Sequence, residues 1–159
     1  MPRDFSKQLA SQIGEHLVVA ELGRRGIIAT PFAGNLPEID ILAYANGRAA
    51  PIQVKAMRQP IGSVDAAKYL EIRFDGERQI IDGLVTAIDR ALIFVPVMIG
   101  KTKNEDRMFV LEQGALQDLI FRKHTSILSQ FGGRRRRTGS RPIARMIRGI
   151  LSALRTIGV

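Results

Sequence analysis

The sequence of 159 residues has no cysteine. A disulfide framework and a thiolate metal site are both excluded, and nothing points to an oxidising compartment. No apolar run approaches the roughly 20 residues of a membrane span. The first residues, MPRDFSKQLASQIGEH, are charged and polar where a secretory signal is apolar, so cytoplasm is the expected location. A third absence is local. Residues 121–159 carry 10 Lys/Arg and no acid, whereas residues 1–120 hold 14 Lys/Arg against 15 Asp/Glu. The whole formal charge of +9 therefore sits in the last quarter of the chain. A near-neutral body with a concentrated basic arm is the pattern of a protein that holds a polyanion. Solubility alone is achieved with mixed charges.

With 45% hydrophobic residues, the chain can bury one core and is too short for two ordinary ones, so one domain plus an appendage is expected. Phe5, Leu9, Ile13, Leu17, Val18 and Leu22 recur at helical spacing and predict a first helix ending at Gly23 to Gly26. Short strands follow at 27–32, 39–45 and 51–57, the last two joined by the Asn46-Gly47 turn. YLEIRF alternates like an edge strand, and 79–89 has a helical stripe through Ile80, Ile81, Leu84, Val85 and Ile88. The apolar run 91–99 and residues 107–111 read as strands, with Pro96 suggesting an edge or a bulge in the first. Residues 115–128 read as a helix. This order indicates an α/β sandwich around a mixed sheet.

After Gly132-Gly133 the composition turns to RRRRTGSRP. From Pro142 onward, Ile143, Met146, Ile147, Ile150, Leu151, Leu154 and Ile157 form an amphipathic stripe that Arg141, Arg145, Arg148 and Arg155 avoid, which predicts a helix over 142–159. Seven such side chains at roughly 1.5 kcal/mol each are too costly to leave in water, so the stripe must pack on something. The expected division is a body at 1–128, an arginine-rich linker at 129–141 and a basic amphipathic helix at 142–159.

Polar residues interrupt two of the apolar strands. In PEIDILAY, Ile39, Ile41 and Ala43 share one face, and Glu38 and Asp40 the other; in PIQVKAM, Gln53 and Lys55 oppose Ile52, Val54 and Ala56. On neighbouring strands, Asp40, Gln53 and Lys55 can meet on one patch of sheet. Phosphodiester hydrolysis needs an activated water and charge neutralisation at the phosphoryl oxygens, which a hard divalent cation provides. Magnesium takes oxygen ligands and needs only one or two carboxylates. Asp40 suits the principal ligand, Lys55 can orient or deprotonate the water, and Gln53 can coordinate through its amide oxygen. Glu15, set among apolar neighbours in the first helix, is the candidate for a further carboxylate.

A helical Glu in IGEHLVVAEL, an Asp on the second strand in EIDILAY and QVK on the third resemble the PD-(D/E)xK nuclease superfamily. The likeness is to the branch of Holliday-junction resolvases and certain homing endonucleases, and it covers about residues 6–58. The resemblance implies a restriction-endonuclease-like α-β-β-β-α-β core, a mixed sheet flanked by helices, to which the basic C-terminal helix is appended. It implies Mg2+ or Mn2+ held by Glu15, Asp40, Gln53 and the carbonyl of Val54, with Lys55 aligning the nucleophilic water. It also implies endonuclease action on DNA, including branched or structured DNA. Here Ile39 precedes the strand acid where the family has proline, and Gln53 stands where an acid is usual.

The arm adds Arg134, Arg135, Arg136, Arg137, Arg141, Arg145 and Arg148 as expected nucleic-acid contacts. A homodimer is expected, with the apolar helical stripe as its interface. Two alternatives stay open: a non-catalytic nucleic-acid-binding protein on the same fold, and a module anchored to a membrane or partner by the basic helix. Asp40 paired with Lys55 as a structural salt bridge is the plain reading of the same residues. Arg24 and Arg25 fit either phosphate contacts or ordinary surface charges, and His16 and His124 fit packing or surface roles.

Overall fold

The computed structural model describes residues 6–32, 37–58, 62–133, 143–146 and 156–157. Helix α1 (Ser6–Arg24) buries Ala10, Gly14, Val18 and Glu21 along one stripe. It ends because Gly26 takes φ 75°, which lets Gly26 N–H donate to the Gly23 carbonyl and Ile27 N–H to that of Leu22. This is the paired closure glycine permits at a helix end.

Strands β1 (Ile28–Pro31), β2 (Ile41–Ala45) and β3 (Arg48–Met57) form an antiparallel meander. Asn46 and Gly47, both at positive φ, join β2 to β3 in the two-residue turn expected of that dipeptide. Next come β4 (Gly62–Asp65), a 3-10 turn (Ala66–Lys68), the hairpin of β5 (Leu70–Asp75) and β6 (Arg78–Leu84), and β7 (Ile93–Met98). The chain continues through β8 (Arg107–Phe109), β9 (Leu111–Glu112) and α2 (Gln113–Gln130) to β10 (Ile143–Met146) and β11 (Thr156–Ile157).

The main sheet runs β1-β2-β3-β7-β8-β11, with β9 also paired to β7. The β3–β7 pairing is parallel and the others antiparallel, which makes the sheet mixed. One face carries Val18 of α1 against Ile41, Ala43, Ile52, Val54, Val95, Val97 and Met108. The other packs Phe94 and Leu111 against Leu116 and Ile120 of α2 and against Ala66, Tyr69 and Leu70. A mixed sheet between two helices thus agrees with the expected α/β class.

Three expectations need correction. Residues 78–84 are strand, not the start of a helix: Gly76-Glu77 turns the chain back with Gly76 at φ 57°, and β6 pairs with β5. Pro96 lies in an interior strand. Its missing donor is tolerated because the partner along that side is split: β8 pairs with Val97 and Met98, β9 with Ile93 and Phe94, and neither with Pro96. Finally, residues 143–146 and 156–157 are strands where a helix was expected over 142–159. These segments pair through the backbone with β4 and β8, which satisfies the chain as well as a helix does. The remainder of that span, with Arg141 and Arg148, and the run Arg134 to Arg137 lie outside the described residues.

Candidate functional site

Asp40 is held where β1, β2 and β3 meet. Its N–H donates to the Ile52 carbonyl at 2.9 Å, and its carbonyl accepts from Phe32 N–H at 2.9 Å. Just upstream, Glu38 takes φ 70°, an uncommon conformation for a non-glycine residue, in the turn that sets the chain entering β2. The Asp40 carboxylate then turns toward β3 and accepts the N–H of Val54 at 2.7 Å. That charge-assisted bond fixes the acid's orientation.

The register defines the rest. Ile41 faces Ile52, so Asp40 comes opposite Gln53, and β3 runs on to Met57 without β2 beside it. A residue's N–H and C=O leave a strand on the same side. The Val54 carbonyl therefore points, like its N–H, toward the opening beside Asp40, past the last β2–β3 pair. Gln53 pairs in register with Phe94, a residue of the α2-side core, whereas Ile52 and Val54 belong to the α1-side core. Asp40, Gln53 and Lys55 hence share the α2-side face. Asp40 and Gln53 are half-buried and Lys55 is exposed. Among the described residues no ion pair joins Asp40 to Lys55, so the structural salt bridge is not formed.

Glu15 comes from the opposite face. Gly14 lies so close to β3 that a Cβ there would stand 2.6 Å from the Ala56 Cβ and 3.5 Å from Val54 Cγ1. This contact seats the next residue, Glu15, beside the free-running half of β3. Glu15 is half-buried and accepts a hydrogen bond from the Ser11 hydroxyl at 3.2 Å; none joins it to Asp40, Gln53 or Lys55 among the described residues. Nor do three His, Asp or Glu side chains gather in a metal-holding cluster among those residues. The oxygen donors beside the end of β2 are thus the Asp40 carboxylate, the Val54 carbonyl and the Gln53 amide; Glu15 lies on the helix across the sheet, and the structure does not bring it together with them. Oxygen donors of this kind suit magnesium and not a soft metal.

Sequence reasoning did not single out Gly14, Tyr69 or Gln113. Gly14 was legible only as half of the GE pair; its value lies in the close approach of helix and strand. Tyr69 and Gln113 are buried beneath the same face as Asp40. Burial pushes the Tyr69 phenol above its ordinary value, a hydrogen bond from Gln113 pulls the other way, and the nearby charge of Glu38 adds to the rise. Arg24 and Arg25 are surface charges paired with the buried Glu21. His16 bonds the Gln12 carbonyl in its own helix, and His124 is buried against Gln79.

No family model and no curated protein matches the chain. Among solved structures, the bacterial homing endonuclease I-Ssp6803I is similar over 71% of this chain and 73% of its own, with 11% identity and a TM-score of 0.47. No described helix is long and apolar enough to cross a membrane.

Proposed function

We propose that the chain is a metal-dependent endonuclease of the PD-(D/E)xK type that hydrolyses DNA phosphodiesters, branched or structured DNA included. The observation that carries this reading is the placement of Asp40, Gln53 and Lys55 on one face at the point where β2 leaves β3, with Asp40 tied to the Val54 amide instead of to Lys55. An acid and a lysine on one face, not paired with each other and half-buried or exposed, suit a substrate better than they suit the fold.

Asp40, the Val54 carbonyl, Gln53 and Glu15 are the residues that would hold Mg2+ or Mn2+. The ion would supply charge neutralisation and a more acidic water. Lys55 then orients the attacking water and can take its proton at Nζ. The basic segment beyond Gly133 supplies phosphate contacts. Because Gln53 is neutral, a second reading is a nucleic-acid-binding module on the same fold that has lost catalysis.

One experiment separates the two. Asp40→Asn keeps an acceptor for the Val54 N–H and removes the charge. It is expected to abolish Mn2+ binding measured by titration calorimetry and to reduce cleavage about 10²- to 10³-fold, while duplex affinity without metal persists. Native protein that binds DNA yet takes up no Mn2+ and cuts neither linear nor branched substrates would leave the binding-module reading standing.

A further inference from the structure

Resting on the nucleic-acid reading above, we propose that the turn joining β7 to β8 is a phosphate-contact surface of the body itself. In it Arg107, with Lys101 and Lys103, holds the duplex backbone beside the end of β3 that carries Lys55. The register puts Arg107 on the site's face. Met57 pairs with Met98 across β3–β7, and Met98 with Arg107 across β7–β8. Cross-strand partners share a face, so Arg107 lies on the face of Lys55 and Gln53, two strand spacings or about 10 Å from Met57. Ile99 N–H donates to the Met57 carbonyl at 2.8 Å, so the turn starts where β3 ends.

The turn is held together by its own acids. Asp106, 7% exposed, accepts Gly100 N–H at 2.8 Å. Glu105 accepts Lys101 N–H at 3.1 Å and the Thr102 hydroxyl at 3.2 Å. Gly100 passes so close to Glu105 that a Cβ there would overlap it, which leaves the backbone little room to rearrange. The Arg107 guanidinium is fixed in turn, because its Nη1 donates to the Asn104 and Asp106 carbonyls at 3.0 and 2.8 Å. Its Nε and Nη2 form the parallel pair of donors that a phosphate accepts bidentately, and they make no hydrogen bond among the described residues. A guanidinium already oriented, with one edge open, loses less conformational entropy on binding than a loose one.

Charge is sorted over the body in the same sense. Among the described residues, Arg24, Arg25, Arg73 and Arg90 are ion-paired. Lys55, Arg58, Lys68, Lys101, Lys103 and Arg107 are exposed and join no ion pair among those residues. They gather toward the end of the sheet where β3 and β7 finish; Lys68 stands in the 3-10 turn whose Ala66 and Tyr69 share a core with Met57. Asp65, at the start of that turn, is engaged by Ala67 N–H at 3.1 Å, as Glu105 and Asp106 are by their own turn. Cations collected where the local acids are already occupied suit a polyanion. The turn, GKTKNEDR, has no apolar side chain to enter a bilayer, which favours a duplex over a lipid surface.

Binding of the full chain to a DNA duplex without divalent metal reads this contact apart from catalysis. Arg107→Ala is expected to weaken binding about tenfold and to lower the slope of log affinity against log salt by about one, as the loss of one phosphate contact does. Arg107→Lys keeps the charge without the fork, so it should keep the slope and lose affinity several-fold. Lys101→Ala with Lys103→Ala changes only exposed side chains and should lower the slope by about two; it carries the test should Arg107→Ala disturb the turn. Arg48→Ala removes an equal charge from the turn at the opposite end of β3 and should leave slope and affinity as they were. All four variants should retain Mn2+ affinity, whereas Asp40→Asn loses it and keeps the duplex, so the nuclease reading and this one fail separately. The proposal is overturned if natively folded Arg107→Ala, or the lysine pair in its place, leaves the slope unchanged. It is overturned equally if Arg48→Ala lowers the slope as much, since net charge alone would then count, or if the variants lose anionic phospholipid vesicles and not the duplex.

Discussion

Where β5, β6 and α2 meet, polar side chains are buried and paired with protein; where β2 leaves β3, they are half-exposed and held chiefly through the backbone. Gln117 is fully buried, donates to the Tyr69 and Val85 carbonyls at 2.9 and 2.8 Å, and accepts from Arg90, which also bonds Asp118. His124, 1% exposed, is 3.0 Å from the Gln79 amide oxygen. Gln117 thus serves the backbone carbonyls of Tyr69 and Val85, and the polarity of these groups serves the fold. On the other side, Asp40 has one side-chain bond, to a backbone amide, and Gln53 and Lys55 have none among the described residues. Polarity that the fold does not use is what a ligand site needs.

The sharpest test exchanges the two regions. Lys55→Ala is expected to cut cleavage about 10²- to 10⁴-fold, the range of general acid–base contributions. Because Lys55 is exposed, stability should stay within about 0.5 kcal/mol. Gln117→Leu should do the reverse. It removes the side-chain donor from the Val85 carbonyl and one of the two donors to the Tyr69 carbonyl, which costs about 1–3 kcal/mol by denaturant unfolding, while the mutant that remains folded keeps its Mn2+ affinity. Equal losses of stability from both substitutions would erase the distinction between the regions.

A smaller effect is expected where the regions of helix and strand touch. Gly14→Ala places a Cβ 2.6 Å from that of Ala56, and overpacking of this kind costs about 1–3 kcal/mol, against roughly 1 kcal/mol gained in helix propensity. Since α1 must lift from β3 to relieve the contact, metal affinity should fall as well, through Glu15. Adding Ala56→Gly should restore both properties. Failure of that rescue, read from a double-mutant cycle, would show that the close approach does not position Glu15.

The legible part of the molecule was its first third, where local signals agree with one another. The stripe of α1, the Asn46-Gly47 turn and the alternation in EIDILAY and PIQVKAM all point to a helix followed by a meander, so the strand pair and its polar face followed from the pattern alone. The second third misled because Ile80, Ile81, Leu84, Val85 and Ile88 also fit a helical period. The stronger signal was the glycine at 76 between alternating segments: Gly76-Glu77 closes the β5–β6 hairpin. At the C-terminus, an amphipathic stripe was compatible with a helix, but the exposed edges of β4 and β8 offer backbone partners that no local pattern announces. The role of Gly14 was hidden for the same reason: a close approach is a property of two segments, and sequence shows them one at a time.

The subtlest consequence concerns Tyr69, which lies beneath the candidate site and whose carbonyl also serves the Gln117 network. Burial raises its phenol above the usual value of 10.0, helped by the charge of Glu38 and opposed by Gln113. Below pH 10 the phenol is neutral in both folded and unfolded chains and contributes no pH dependence. Above it, the unfolded chain loses the proton first, so stability falls as pH climbs from 10 toward the folded value. Tyr69→Phe removes this component and should flatten the alkaline limb of the stability curve; Glu38→Gln should shift the onset of phenol ionisation slightly downward. With only two tyrosines and no tryptophan, the tyrosinate absorbance of each variant can be assigned directly, since Tyr69→Phe leaves the exposed Tyr44 alone. An unchanged alkaline limb in Tyr69→Phe would mean that the phenol titrates as in water and that this face is open to solvent beneath Asp40 as well as above it.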